Sequence, residues 1–180
     1  MAGNRESSKS TLFYFIFNMI YAFSMKRFRQ RFYVVLDNIR STLNVGAIFR
    51  TSDAALIDKI FLCGYTPTPE QEKVIKTSLG AEKTVVWEKK GQAWKVLEDL
   101  RKQGFQIVAL EKNNESIDYR KFKPRFPLVL VVGNEVKGVS KAILKRADKI
   151  VSLPMLGKKE SLNVSVAFGI GAYKINEFRK

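Results

Sequence analysis

Leu128-Val129-Leu130-Val131-Val132 is an uninterrupted apolar run, and Gly133-Asn134-Glu135-Val136-Lys137-Gly138-Val139 follows it directly. A strand that is apolar at every position, rather than at every second one, has both faces covered, as happens inside a parallel sheet between helical layers. A polar loop leaving the C-terminal end of such a strand stands where α/β sheets collect their ligands. Two glycines around a carboxylate also expose backbone to whatever binds there.

Outward from this run, residues 32–36, 59–63, 84–87 and 106–110 are β-branched or aromatic stretches that read as further strands, the second closed by a turn at residues 64–69. Helical spacing lies between them. Asn44 can cap a helix whose inner face is Val45, Ile48, Phe49 and Leu56, and residues 70–79 form a short helix ended by Gly80. Residues 92–103 form another, with Trp94, Leu97 and Leu100 inward and Gly104 as its stop, while residues 113–127 read as a loop. At the C-terminus, Val164, Ala167, Phe168, Gly171, Ala172 and Ile175 make one stripe of a helix over residues 163–179, capped by Ser161 or Asn163. Its small residues admit a close neighbour, either the sheet or a partner subunit. The alternation predicts an α/β sandwich with a mostly parallel sheet and right-handed crossovers.

Composition limits the chemistry. The 180 residues are one domain's worth of chain, and 46% hydrophobic residues can build a core without metal or disulfide. With no histidine, a Ser-His-Asp triad, a Cys-His dyad and a His-ligated metal are all excluded. Cys63, the single cysteine, lies in an apolar strand and reads as a small buried hydrophobe in a reducing compartment. Neither GxxxxGK[ST] nor a post-strand GxGxxG occurs, which removes the usual signatures of triphosphatases and nicotinamide enzymes. A formal charge of +15, from 32 Lys and Arg against 17 Asp and Glu, would gather polyanions, nucleic acid first among them.

Three segments place polar residues after strands with Gly or Pro beside them: Asn44-Val45-Gly46-Ala47-Ile48-Phe49-Arg50, residues 133–139, and Leu153-Pro154-Met155 leading to Ser161-Leu162-Asn163. Alone, Asn44 is only a cap, Gly46 a packing concession and Arg50 a solvated charge. Together and in this order, NVGAIFRTSDAA (44–55), VVGNEVKGVS (131–140) and LPMLGKKESLNVSVA (153–167), with a weaker SLGAEK (78–83), resemble the motifs of the TrmH-like (SpoU) branch of the SPOUT RNA methyltransferase superfamily. The resemblance covers roughly residues 32–178.

That resemblance implies a SPOUT-type sandwich whose C-terminal part threads a trefoil knot, S-adenosylmethionine as cofactor, and an active site completed across a homodimer. Gly133, Leu153 and Leu162 stand at cofactor positions, joined by Leu110, Gly138 and Ser161. Arg50 matches the essential arginine. Asn44 would orient Arg50 or the ribose, Glu135 would fix Arg50 by a charge-assisted hydrogen bond, and Ser161 with Asn163 would hold cofactor and target loop. Because a guanidinium keeps its proton to a pKa above about 12, phosphate clamping and alkoxide stabilisation suit Arg50 better than general-base work. No metal is implied.

The implied activity is 2'-O-ribose methylation of tRNA or rRNA in the cytoplasm. A base-directed methyltransferase and a non-catalytic RNA-binding protein of the same fold are the alternatives; Asn44, Arg50 and the Ser161-Leu162-Asn163 segment favour ribose. RNA contacts are expected from Arg50, Lys137, Lys158 and Lys159, and from Lys26, Arg27, Arg29 and Arg31. Residues 1–24 lack the size and polarity of a separate RNA-binding domain. Their apolar part, residues 12–23, is short for a membrane span, so no stable membrane association is expected. Ala22 and Ser24 loosely mimic a signal-peptidase site, but export would part the chain from cofactor and RNA. The plainer reading makes residues 1–24 an extension, not native or disordered, ahead of a methyltransferase domain over residues 25–180 that starts at Met25.

Overall fold

β-Branched and aromatic runs pair side by side through the computed structural model, which describes residues 30–179 together with Ile16, Met19, Met25 and Phe28. The expectations for Met25 as a start and for a terminal extension fall almost wholly outside these residues. Among the described residues, one sheet has seven strands: β1 (Phe32–Asp37), β2 (Lys59–Cys63), β3 (Trp87–Lys90), β4 (Gln106–Leu110), β5 (Ile117–Asp118), β6 (Leu128–Gly133) and β7 (Lys149–Ser152), in the order β3-β2-β1-β6-β4-β7-β5. Every pairing between them is parallel. The sheet's C-terminal ends therefore share one edge, with Asp37 level with Cys63 on one side and Gly133 on the other.

Helices cover both faces. On one lie α1 (Thr42–Ala54), α2 (Glu72–Ser78), the single turn α3 (Ala81–Thr84) and α6 (Val164–Asn176). On the other lie α4 (Ala93–Lys102) and the short α5 (Lys141–Leu144). The apolar run of β6 divides between them as its unbroken pattern demands: Leu128, Leu130 and Val132 join Phe49 and Phe168 in one core, while Val129 and Val131 join Leu97, Leu100 and Ile143 in the other.

Several local expectations are corrected. Ser41, not Asn44, caps α1, its side chain accepting from the Asn44 N–H at 3.3 Å. Both are good cap types, and Asn44 lies one turn in with its side chain engaged elsewhere. Leu56 lies past the end of α1, left-handed at φ 51° and exposed. α2 stops at Leu79, left-handed at φ 53°, one residue before Gly80. Thr84 closes α3 instead of opening a strand: its hydroxyl donates to the Ala81 carbonyl and to Asp53, and β3 begins at Trp87. In α4 the inward residues are Ala93, Val96, Leu97 and Leu100, while Trp94 is only half-buried, with the Arg146 guanidinium over its ring at 5.0 Å. The segment 113–127 contains β5.

At the last helix Asn163 is the cap, accepting from Ser165 N–H at 2.9 Å and Val166 N–H at 3.4 Å, and Ser161 is left free of that task. Of its small residues, Gly171 and Ala172 are buried, and a Cβ on Gly171 would meet Leu110 and Leu130 of the sheet.

Candidate active site

Three loops at the shared edge are fastened to one another by side chains. Glu135, just beyond β6, reaches back to the β1–α1 loop, its carboxylate accepting from Arg40 N–H at 2.9 Å, Ser41 N–H at 3.0 Å and the Asn44 amide at 2.9 Å. The Asn44 carbonyl oxygen in turn accepts from the Asn163 amide at 3.0 Å, and Asn163 caps α6. A polar relay, Glu135 to Asn44 to Asn163, thus joins all three segments. Partial burial pushes the Glu135 carboxyl up, but the donors at Arg40, Ser41 and Asn44 outweigh it and hold its pKa below the usual value.

The β6 loop owes its shape to its glycines and Asn134. Asn134 is buried, donating to the Asn38 carbonyl and the Tyr65 hydroxyl at 2.9 Å each and accepting from Val136 and Lys137 N–H at 3.0 and 2.9 Å. A Cβ on Gly133 would stand 2.3 Å from the backbone of residues 138 and 139, so only glycine lets the loop fold back on its own strand. Gly138 sits at φ 68°, with the Glu111 carboxylate filling the space beside it.

Beside the relay opens a cavity of about 480 Å³. Its lining includes Leu110, Gly133, Gly138, Leu153, Ser161 and Leu162, so the structure brings together all six residues expected to hold a cofactor. Glu135 and Lys137 line it too. Such a volume is within the range of about 300–1,000 Å³ common for small-molecule sites, and leucines interleaved with glycine backbone offer an apolar slot edged by N–H and C=O groups. Asn134, Met155 and Glu160 of the quoted segments complete parts of the wall, and so does Glu111, which lies outside those segments. Glu111 had a usable signal, since it directly follows the strand residue Leu110.

Arg50 does not pair with Glu135. It is exposed and, among the described residues, its side chain makes no hydrogen bond or ion pair; the Glu135 oxygens accept from Arg40, Ser41 and Asn44 instead. No hydrogen bond joins Asn44 to it either: the Asn44 side chain donates to Glu135 and accepts from Asn163. Six residues beyond Asn44, Arg50 stands about 9 Å further along the helix and outside the cavity lining. Its neighbour Thr51 lines a shallow hollow with Ser165, Val166, Gly169, Ile170 and Tyr173 on the outer face of α6. Gly46 is a packing residue: a Cβ there would stand 1.9 Å from the Thr77 hydroxyl and 2.6 Å from the Val74 carbonyl of α2.

Lys137 is exposed where it lines the cavity, and Lys158 and Lys159 are exposed on the loop that leads to Glu160 of its wall. Arg31 is not with them. It precedes β1, at the opposite edge of the sheet and about 20 Å from the site by strand rise, donating to the Tyr33 hydroxyl at 3.0 Å and lying over the Phe28 ring. Lys26, Arg27 and Arg29 lie outside the described residues.

Fold and site together define an α/β protein with a ligand cavity at the C-terminal edge of a parallel sheet, walled by three hydrogen-bonded loops. Residues 31–173 match the model of the SpoU rRNA Methylase family, and the chain belongs to that family. It is 38% identical over 148 residues to the tRNA (guanosine(18)-2'-O)-methyltransferase of Aquifex aeolicus, covering 82% of this chain and 69% of that one. A putative TrmH family tRNA/rRNA methyltransferase of Bacillus subtilis is 31% identical over 87% of this chain and 62% of its own length. The AdoMet-bound rRNA methyltransferase structure from Sinorhizobium meliloti superposes with a TM-score of 0.77 at 30% identity, over 82% of this chain and 56% of that one. The chain thus spans under two thirds of the last two relatives.

Proposed function

We propose that this protein is an S-adenosylmethionine-dependent RNA 2'-O-ribose methyltransferase acting on tRNA or rRNA in the cytoplasm, its domain spanning residues 25–180. The observation that carries the reading is the convergence of Leu110, Gly133, Gly138, Leu153, Ser161 and Leu162 on one cavity beside the Glu135–Asn44–Asn163 relay. Membership of a methylase family, and relatives named as tRNA and rRNA methyltransferases, support it. Among the described residues no helix is long and apolar enough to cross a membrane.

The lining fits the cofactor. Leu110, Leu153 and Leu162 would hold the adenine, with Gly133, Gly138 and Ser161 offering backbone and hydroxyl contacts to its polar edges. When bound, S-adenosylmethionine supplies a methyl group already activated on a sulfonium. What remains for the protein is to present a ribose oxygen in line and exclude water. Glu135 holds the β1–α1 loop, and through it the start of α1, against the cavity. Asn163 ties the loop before α6 to the same frame. Arg50 grips an RNA phosphate and stabilises the alkoxide as the hydroxyl proton departs. Lys137, Lys158 and Lys159 draw in the polyanion.

Arg50 acts across a homodimer in this reading. The outward residues Val166, Ile170 and Tyr173 are exposed on α6 beside Thr51 of α1, an apolar stripe that a second copy would cover while Arg50 reaches the partner's cavity. In this reading the C-terminal part threads a trefoil knot, as the resemblance to the TrmH-like branch implies. The test is incubation of the protein with methyl-labelled S-adenosylmethionine and unmodified tRNA and rRNA, followed by alkaline hydrolysis. Label in alkali-resistant dinucleotides is expected, because a 2'-O-methyl group blocks cleavage. Label released with a modified base, or no label in either RNA, overturns the reading.

A further inference from the structure

Glu111 is a carboxylate of the cavity that the relay leaves unused. It follows Leu110, the last residue of β4, and lines the cavity wall. One of its oxygens accepts from Val139 N–H at 2.7 Å and the other from Lys112 N–H at 2.9 Å. A Cβ on Gly138 would stand 2.2 Å from the oxygen that binds Val139, so the carboxylate occupies the space the glycine leaves open beneath the 138–139 turn. Among the described residues its hydrogen-bond partners are these two backbone N–H groups, and no lysine or arginine side chain. The cavity's other carboxylates differ: Glu135 is taken up by Arg40, Ser41 and Asn44, and Glu160 is exposed on the loop before α6. Lys112, Lys137 and Lys141 also line the cavity, but none of them forms an ion pair with Glu111, whose negative charge is held against the wall by backbone alone.

We propose that Glu111 is a positioning and charge-selecting residue, which clamps the 138–139 turn into the cavity wall and favours a cationic methyl donor over its neutral product. The inference rests on the reading of this cavity as the S-adenosylmethionine site. Methyl transfer breaks the S–CH3 bond, leaves its electron pair on sulfur and forms an O–CH3 bond, while the hydroxyl proton passes to water. Donor and product thus differ by one methyl group and one positive charge. A fixed carboxylate in a partly dehydrated pocket attracts only the charged member of that pair, binding fresh donor and easing release of spent cofactor.

Calorimetric titration with S-adenosylmethionine, S-adenosylhomocysteine and sinefungin, whose protonated amine stands where the sulfonium would, tests this. Glu111→Gln keeps the size and an acceptor for Val139 but loses the charge, and is expected to narrow the donor-to-product affinity ratio by about tenfold. Glu111→Asp keeps the charge and shortens the clamp, and is expected to weaken all three ligands together with the ratio retained. An unchanged ratio in Glu111→Gln overturns the proposal. So does a wild-type protein that binds sinefungin no better than S-adenosylhomocysteine, a result independent of whether the variants fold. A wild type that binds none of the three overturns the cofactor reading itself.

Discussion

Asn44 connects the other two segments through a single side chain, donating to Glu135 and accepting from Asn163. Its residue type was legible in the sequence, as were those of Glu135 and Asn163, because all three recur after strands beside Gly or Pro. Their partners were not. Opposite charge suggested that Glu135 would hold Arg50, yet two backbone N–H groups from the chain 94 and 95 residues earlier take its oxygens instead. Arg50 is thereby left available for RNA. Arg50→Ala is expected to keep the fold and cofactor binding while single-turnover methyl transfer falls at least about 100-fold, as for a lost transition-state contact; near-normal turnover would remove the role. Cys63 gives a second residue-level expectation. Burial, reinforced by nearby Asp37, pushes its thiol up to about 12, so it should resist Ellman's reagent in the native protein and react fully in denaturant. A rapidly reacting native thiol would contradict its burial.

Packing of α1 on α2 shows where periodicity succeeds and where it runs out. Val45, Ile48 and Phe49 face the core as their spacing predicts. The close approach of two helices at Gly46 leaves no periodic trace, since a glycine in a motif reads equally well as a ligand contact. Gly46→Ala is expected to lower stability by about 1–3 kcal/mol in chemical denaturation, because the added methyl would overlap the Val74 carbonyl and Thr77 despite alanine's better helix propensity. A gain in stability would show that the interface yields. Helix boundaries slipped by one to three residues, as at Ser41 against Asn44 and Leu79 against Gly80. The β1–α1 loop should also respond to acid. The Glu135 pKa is depressed in the fold, so its contribution is complete above the ordinary carboxylate pKa of about 4.3 and declines as pH falls through the lower folded value. Amide protection factors at Arg40 and Ser41 should drop in that acid range, and constant protection would mean that protonation leaves the clamp intact.

Across the whole molecule, the layered parallel sheet was legible because an unbroken apolar strand admits little else, whereas strand order and the contacts between loops depend on pairings distant in sequence. An apolar stripe on α6 that no other described element covers predicts self-association: Ile170→Asp should shift the molar mass in light scattering from dimer to monomer and abolish methylation with it. A wild type already monomeric would sink the shared-site reading. Exposed basic residues on the loop before α6 predict that Lys158→Glu with Lys159→Glu flattens the salt dependence of RNA affinity, and an unaltered slope would take them out of the contact surface. The sheet order has one more outcome, concerning synthesis. β1 and β4 never touch; each pairs with β6, which comes from residues 128–133. A nascent chain that has delivered only its first 110 residues must therefore hold two ready strands with bare inner edges, and the seam between them closes when the ribosome releases the strand that zips both halves together.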